Sequence, residues 1–330
     1  MKKTFLLLTV FVLFSNHDMY LKLDAYFLQP DTPATIELFN GTFDKSENVI
    51  TRDRMVDMSL VGNGKRSQVD SAQWSEKDSV TMLSFNTGEP GTWIAGISTA
   101  PRSIELPAAD FNDYLEHDGV LDMLEWRQEN DAMEVDAVER YSKHVKAIFQ
   151  VGDKRTNDWQ TALGYPIEFI PLTNPYDLHT GDELQVQLLL RGEPLANQLV
   201  YADYRTGEHG HSHDQEHTHG TESDHSHDGD AAADHQHTYG TQLRTDDKGN
   251  LTLSLSDDGI WYLRTIHLVH SEDPEFTHES NWATLTFEVS HEHGENTHTH
   301  DQESGIPTYA YWIGSLVLLG GMFFWFNRKK

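Results

Sequence analysis

Thirteen of the chain's 20 histidines fall in two short stretches, where they recur at every second position. The first stretch carries His209, His211 and His213, then His217 with His219, His225 with His227, and His235 with His237. The second carries His291 with His293 and His298 with His300. In an extended backbone, side chains two residues apart lie on one side, about 7 Å from each other. A small bend lets both imidazoles reach one ion at roughly 2.0–2.1 Å. Two such pairs, with an Asp or Glu, fill a tetrahedral or octahedral shell. Imidazole suits Zn, Cu, Ni and Co, and the usual affinity order places Cu and Ni above Mn and Fe. Ordering flexible ligands costs entropy, so the pattern implies several weak sites. That chemistry is capture, buffering or delivery of a divalent transition metal.

The remaining seven histidines are isolated. Three of them join the candidate ligands. His17 follows an apolar leader, where cleavage would set its ring beside a new terminal amine. His179 sits in the turn Asp177-Leu-His-Thr-Gly181, and His267 lies at the end of an apolar run. His267 and His270 are three apart at a strand end. His117 and His144 fall on the two stretches read below as helices, where solvent exposure is the default, and His278 reads as a structural histidine. No Gly-x-Ser-x-Gly, His-Glu-x-x-His or phosphate-loop pattern is present, so the chain reads as a non-enzyme with no catalytic residues.

Composition points the same way. There are 53 acidic and 24 basic residues, a formal net charge of -29. A phosphate backbone wants a basic face, so nucleic acid is excluded as the natural partner, and cations are favoured. Cysteine is absent, so any metal is held by nitrogen and oxygen.

The elements that must position these residues are mostly strands. Residues 34–39, 55–61, 80–85 and 92–97 are short apolar runs closed by turn residues, the pattern of an antiparallel sandwich. Residues 110–128 place Phe111, Leu115, Val120, Leu121, Leu124 and Trp126 on helical spacing, and 136–149 repeats it with Val138, Tyr141, Val145 and Ile148. Two helices are therefore expected over about 110–148, with a strand returning at 147–151. Strand character resumes at 166–170, 183–190, 251–255, 259–267 and 282–289. Residues 207–240 hold nine histidines and eight acids, no Lys or Arg, and no apolar period. Such a segment cannot bury a core and is expected to be a disordered loop between two strands.

Both ends of the chain are apolar. Lys2-Lys3 followed by an apolar run from Phe5 to Phe14 reads as a signal peptide over 1–15. Tyr309 to Phe326 contains no charge and is about 27 Å long as a helix, enough to cross a bilayer. Tyr309, Tyr311, Trp312 and Trp325 would sit at its interfaces. Arg328, Lys329 and Lys330 would stay in the cytoplasm.

The expected fold is mainly β, with two immunoglobulin-like or transthyretin-like β-sandwich units and one C-terminal transmembrane helix. The first unit, 16–160, is an N-terminal β-rich domain carrying the two-helix excursion. The second, 161–290, is a sandwich with the His-rich insert 207–240. A His-containing linker (291–306), the membrane helix (307–326) and a basic tail (327–330) follow. Gly192, Pro194, Leu195, Asp246, Gly249, Gly259 and Trp261 carry a pattern that resembles the transthyretin-like or carboxypeptidase-regulatory type of sandwich.

Several longer stretches carry a wider resemblance. They are His17-Asp-Met-Tyr-Leu, Asn174 to Leu184, Gly192-Glu-Pro-Leu-Ala196, Thr245-Asp-Asp-Lys-Gly249 and the run from Trp261 to His267. Together, over nearly all of 17–290, they resemble a large bacterial family of periplasmic proteins of unassigned function. Some members look like accessory periplasmic components of nickel and cobalt uptake systems. The resemblance implies a two-part β-rich periplasmic protein connected with nickel or cobalt; zinc is compatible by the imidazole chemistry alone. It further implies a partner in the same membrane, an energy-coupling-factor-type metal transporter. Two other readings stay open. One is a metal-sequestering or resistance protein without transporter contact. The other is a carbohydrate- or protein-binding sandwich module whose His loop is peripheral.

Overall fold

Runs of β-branched and aromatic residues punctuated by Gly, Asn and Asp give 18 strands and two helices among the described residues. The computed structural model describes residues 18–206 and 240–290. In chain order these are β1 (Asp18–Leu23), β2 (Phe27–Leu28), β3 (Pro33–Gly41), β4 (Met55–Gly62), β5 (Lys65–Gln68), β6 (Trp74–Lys77), β7 (Val80–Asn86), β8 (Gly91–Thr99) and β9 (Arg102–Leu106). Helices α1 (Ala108–His117) and α2 (Leu121–Glu129) follow. Then come β10 (Ala137–Val151), β11 (Ile167–Pro171), β12 (Glu183–Leu190), β13 (Glu193–Pro194), β14 (Leu199–Arg205), β15 (Thr241–Arg244), β16 (Asn250–Ser254), β17 (Gly259–His270) and β18 (His278–Val289). The strands expected at 34–39, 55–61, 80–85, 92–97, 166–170, 183–190, 251–255, 259–267 and 282–289 each overlap an observed one.

The fold is mainly β, with sheets stacked face to face. A ten-stranded sheet runs β15-β14-β17-β18-β10-β8-β4-β5, with β2 and β9 also on β10. One four-stranded sheet is β1-β3-β7-β6. The other joins β11, β12, β13 and β16. Residues before 160 build the first small sheet and one half of the large one. Residues after 160 build the second small sheet and the other half. The halves meet where β10 pairs parallel with β18, Glu139 opposite His278 through Ala147 opposite Thr286. The expected boundary at 160/161 is therefore crossed by a continuous sheet.

Alternation along β10 sorts the layers. Odd positions face the first small sheet and the helices. Lys143 Nζ reaches Asn40 of β3 at 3.3 Å, and the Phe149 ring lies 5.8 Å from that of Phe85 on β7. Even positions face the second small sheet, where Lys146 Nζ meets Glu168 Oε2 at 3.2 Å and Phe169 O at 3.0 Å. The main apolar core runs through all three sheets, from Leu21, Leu38 and Leu83 to Leu188, Leu253 and Leu285. A second cluster, with Phe111, Leu115, Met123, Ile266 and Trp282, lies beneath the helix pair.

One expectation is overturned here. Residues 137–151 form a 15-residue strand, and both helices overlap the span read as the first helix, 110–128. From Ser142 to Val151 every residue of β10 is buried, because the strand is central and covered on both faces. A strand buried on both faces loses its period-two signature, and the apolar positions left over imitate a helix. The two helices are separated at Asp118-Gly119, where Gly119 has φ +70°. A Cβ there would lie 2.3 Å from Tyr201 Oη. The membrane segment expected at 307–326 and the signal at 1–15 lie outside the described residues. No helix among the described residues is long and apolar enough to cross a membrane.

Candidate functional site

Most of the candidate ligands lie outside the described residues. They are His17; His209, His211, His213, His217, His219, His225, His227, His235 and His237 of the first tract; and His291, His293, His298 and His300 of the second. The points where the first tract joins the fold are described. β14 and β15 pair antiparallel from Leu199 opposite Arg244 to Ala202 opposite Thr241. The segment between them thus leaves and re-enters one edge of the large sheet.

His179 and His267 are described, and each has local partners. The His179 backbone N–H donates to Asp182 Oδ2 at 2.9 Å, and its ring Nδ1 is 4.0 Å from that carboxylate, at the surface. His267 Nδ1 lies 2.9 Å from Gln198 Oε1. The Gln198 amide nitrogen donates to Leu199 O, Thr265 Oγ1 and Ile266 O. That fixes Oε1 as an acceptor and places the ring proton on Nδ1 of His267, leaving Nε2 with its lone pair. Burial, then the Arg191 charge, lowers the His267 pKa, with Glu279 opposing. His267 lines a cleft of about 210 Å³ with Asp118, Asp122, Gln198, Tyr201 and Arg264. Arg244 and Asp122 form a two-fold ion pair beside it, both bonds at 2.8 Å. Alternation on β17 puts His267 and His270 on opposite faces of the sheet, so the pair that looked close in sequence cannot share an ion. Among the described residues no group of three or more His, Asp or Glu is arranged to hold a metal.

The structure gathers charged residues that the sequence left scattered. Arg264 Nη1 binds both oxygens of Asp18, at 3.1 and 3.0 Å, and its Nη2 donates to Asp118 O at 2.8 Å. Tyr20 donates to Asp18 at 3.0 Å. Lys143 lies 4.7 Å over the Trp282 ring. Glu139 Oε1 accepts from Ser280 Oγ and, at 3.3 Å, from Tyr114. The second oxygens of Asp118 and Glu139 are buried without hydrogen-bond partners. Burial pushes Glu139 up to about 7, although its hydrogen bonds and Lys143 pull the other way. Burial pushes Lys143 down to about 8, while Asp18, Asp118 and Glu139 raise it. Burial, and then Asp18, holds the Asp118 carboxyl well above its ordinary range. Burial thus shifts both carboxyls and the ammonium of this cluster toward their neutral forms.

His144, expected on a helix and exposed to solvent, is instead buried on the central strand β10. Its ring nitrogens lie 2.9 Å from Ser98 Oγ and 3.0 Å from Ser142 Oγ, and burial lowers it to about 4. His278 has no local signal, since strand register sets its partner; Glu139 and Lys143 are missed because 136–149 spaces its apolar residues as a helix would. The signal that could have found them is a charge set inside an unbroken apolar strand.

A family model described as "Domain of unknown function (DUF4198)" matches residues 15–269. The chain belongs to that family. The DUF4198 match takes in the first histidine tract and ends one residue short of His270. No curated protein matches the chain. Among solved structures, the D0-D1 domain of intimin is 12% identical at a TM-score of 0.17, over 82% of this chain and 97% of that one. A Salmonella alpha-2-macroglobulin mutant is 9% identical at 0.21, over 82% of this chain and 15% of its own. Trypsin-activated alpha-2-macroglobulin from Escherichia coli is 9% identical at 0.21, over 83% and 16%. Scores this low carry no argument about this chain.

Proposed function

We propose that this protein is a membrane-tethered, extracytoplasmic, non-enzymatic metal-binding protein. It captures a divalent transition metal, nickel or cobalt first and zinc also compatible, and assists uptake by a transporter in the same membrane. The observation that carries the reading is the set of six His-x-His groups, which hold 13 of 20 histidines in two stretches. Pairs at that spacing are a ligand arrangement for which a solvated spacer has no need. The net charge of -29 supports it, since such a field raises the local concentration of cations. The edge attachment at β14 and β15 supports it too, because a tract entering there need not disturb the core. Residues 161–290 serve in this reading as the immunoglobulin-like module that presents the tract. The apolar run 307–326 serves as the anchor.

The test is metal stoichiometry. A chain lacking 207–240, rejoined by a short Gly linker, should lose most of its bound nickel or zinc by equilibrium dialysis. Full retention would assign the tract to a spacer role and remove the reading. Induction of the gene by metal starvation favours uptake, and induction by metal excess favours sequestration.

A further inference from the structure

One pair of histidines outside the tracts has the geometry of a ligand pair. His270 and His278 are directly opposite each other on β17 and β18. Their ring centroids are 5.6 Å apart with planes at 88°. Two imidazoles that share one ion at 2.0–2.1 Å have centroids about 4.5–5.5 Å apart, so a few tenths of an ångström of movement closes the site.

The protonation of His278 is set by its neighbours. Thr277 Oγ1 donates to Val138 O at 3.2 Å and receives the Val138 N–H at 2.9 Å. Thr277 Oγ1 also lies 2.8 Å from His278 Nδ1, and a hydroxyl that keeps its one proton on Val138 O accepts there from the ring. In that tautomer Nδ1 carries the proton and Nε2 a lone pair. His278 is 3% exposed, and this Nε2 is buried with no hydrogen-bond partner. A ring oriented by an outer acceptor, with its other nitrogen bare, is the usual state of a metal-ligating histidine. Burial, Arg127 and His270 hold its pKa down to about 4, so it stays neutral. His270 is exposed, which leaves a path from solvent. Trp126 stacks on His270 at 4.7 Å and Phe111 packs on His278 at 4.7 Å.

We propose that His270 and His278 form a two-histidine site on the folded body for a late first-row divalent cation such as Ni²⁺, Cu²⁺ or Zn²⁺. No third His, Asp or Glu completes the set among the described residues, so water fills the remaining positions. Arg127 opposes a cation there. The site is therefore weak and exchangeable. It stands on the folded body alone and does not depend on the tracts.

The experiment uses the full chain, stripped of metal and titrated with Ni²⁺ or Zn²⁺, with thermal melting and histidine-ring NMR as readouts. Metal bound at a buried ligand stabilises the native state. At a concentration a hundredfold above the dissociation constant, Tm should rise by roughly 5 °C. His117→Gln should keep that shift, and His270→Gln and His278→Gln should each lose it. His270 is exposed, so its variant remains informative even if the His278 variant folds poorly. A Tm shift that persists when 207–240 is deleted supports the site. No shift in the parent, an equal shift in His270→Gln, or an unmoved His278 Nε2 resonance would overturn it. None of these outcomes bears on how much metal the tracts hold.

Discussion

Glu139 lies fully buried between Tyr114 and Ser280 with one oxygen unpaired, and that makes it a pH-sensitive residue. The folded chain holds its proton up to about 7, against 4.5 for an unperturbed carboxyl. Between those values the folded state binds more protons than the unfolded state. Its contribution to stability is complete below about pH 4.5 and is lost as pH rises through 7. The span corresponds to about 3 kcal/mol. His144 and His278, both lowered to about 4, act with the opposite sign: their contribution is complete above about pH 6.5 and is lost as pH falls through 4. The windows overlap, so the comparison must be between parent and Glu139→Gln. The variant should gain stability relative to the parent between pH 4.5 and 7.5, on the order of 3 kcal/mol, in urea melts at the two pH values. Parallel pH dependences would show that Glu139 ionises normally.

At the scale of elements, the helix pair depends on one turn. Gly119 is left-handed at φ +70°, and Tyr201 Oη donates to its carbonyl at 2.9 Å. Gly119→Ala adds both strain and a clash with the tyrosine. We expect it to cost about 2 kcal/mol, a fall in Tm of several degrees. An unchanged melt would mean that the turn relaxes freely. The edge hairpin of β14 and β15 makes the opposite forecast. Deletion of 207–240 with a short Gly linker should leave Tm within a few degrees of the parent without metal, because loop closure changes only by about 1–2 kcal/mol for such a shortening. Failure of that chain to fold would mean that the tract contributes to the core.

For the whole molecule, the forecast concerns topology. The basic residues Arg328 to Lys330 follow the apolar run 309–326, and the positive-inside rule keeps them in the cytoplasm. Protease added to intact spheroplasts should digest residues 17–305 and spare the final segment, read by immunoblot with an N-terminal and a C-terminal tag. Full protection of the body would place it inside the cell and remove the extracytoplasmic reading.

The metal-ligand pattern of the tracts, the acidic field and the β character of 34–97, 166–190 and 251–289 were all legible in the residues. Each depends on local spacing or summed composition, which a chain carries before it folds. Three matters depended on tertiary structure. β10 is a strand because pairing on both sides and cover on both faces outweigh a local pattern that reads as helical. The charges Asp18, Asp118, Glu139, Lys143 and Arg264 meet because β1, β10, β17 and the α1–α2 turn converge, and no short window of sequence contains them. His267 and His270 look like partners three residues apart, yet the pleat sends them to opposite faces. His270 and His278 look unrelated, yet the antiparallel register of β17 with β18 sets their rings face to edge. Register is a long-range property fixed by the burial of whole faces, so it is the level at which the reading of this sequence had to give way to the fold.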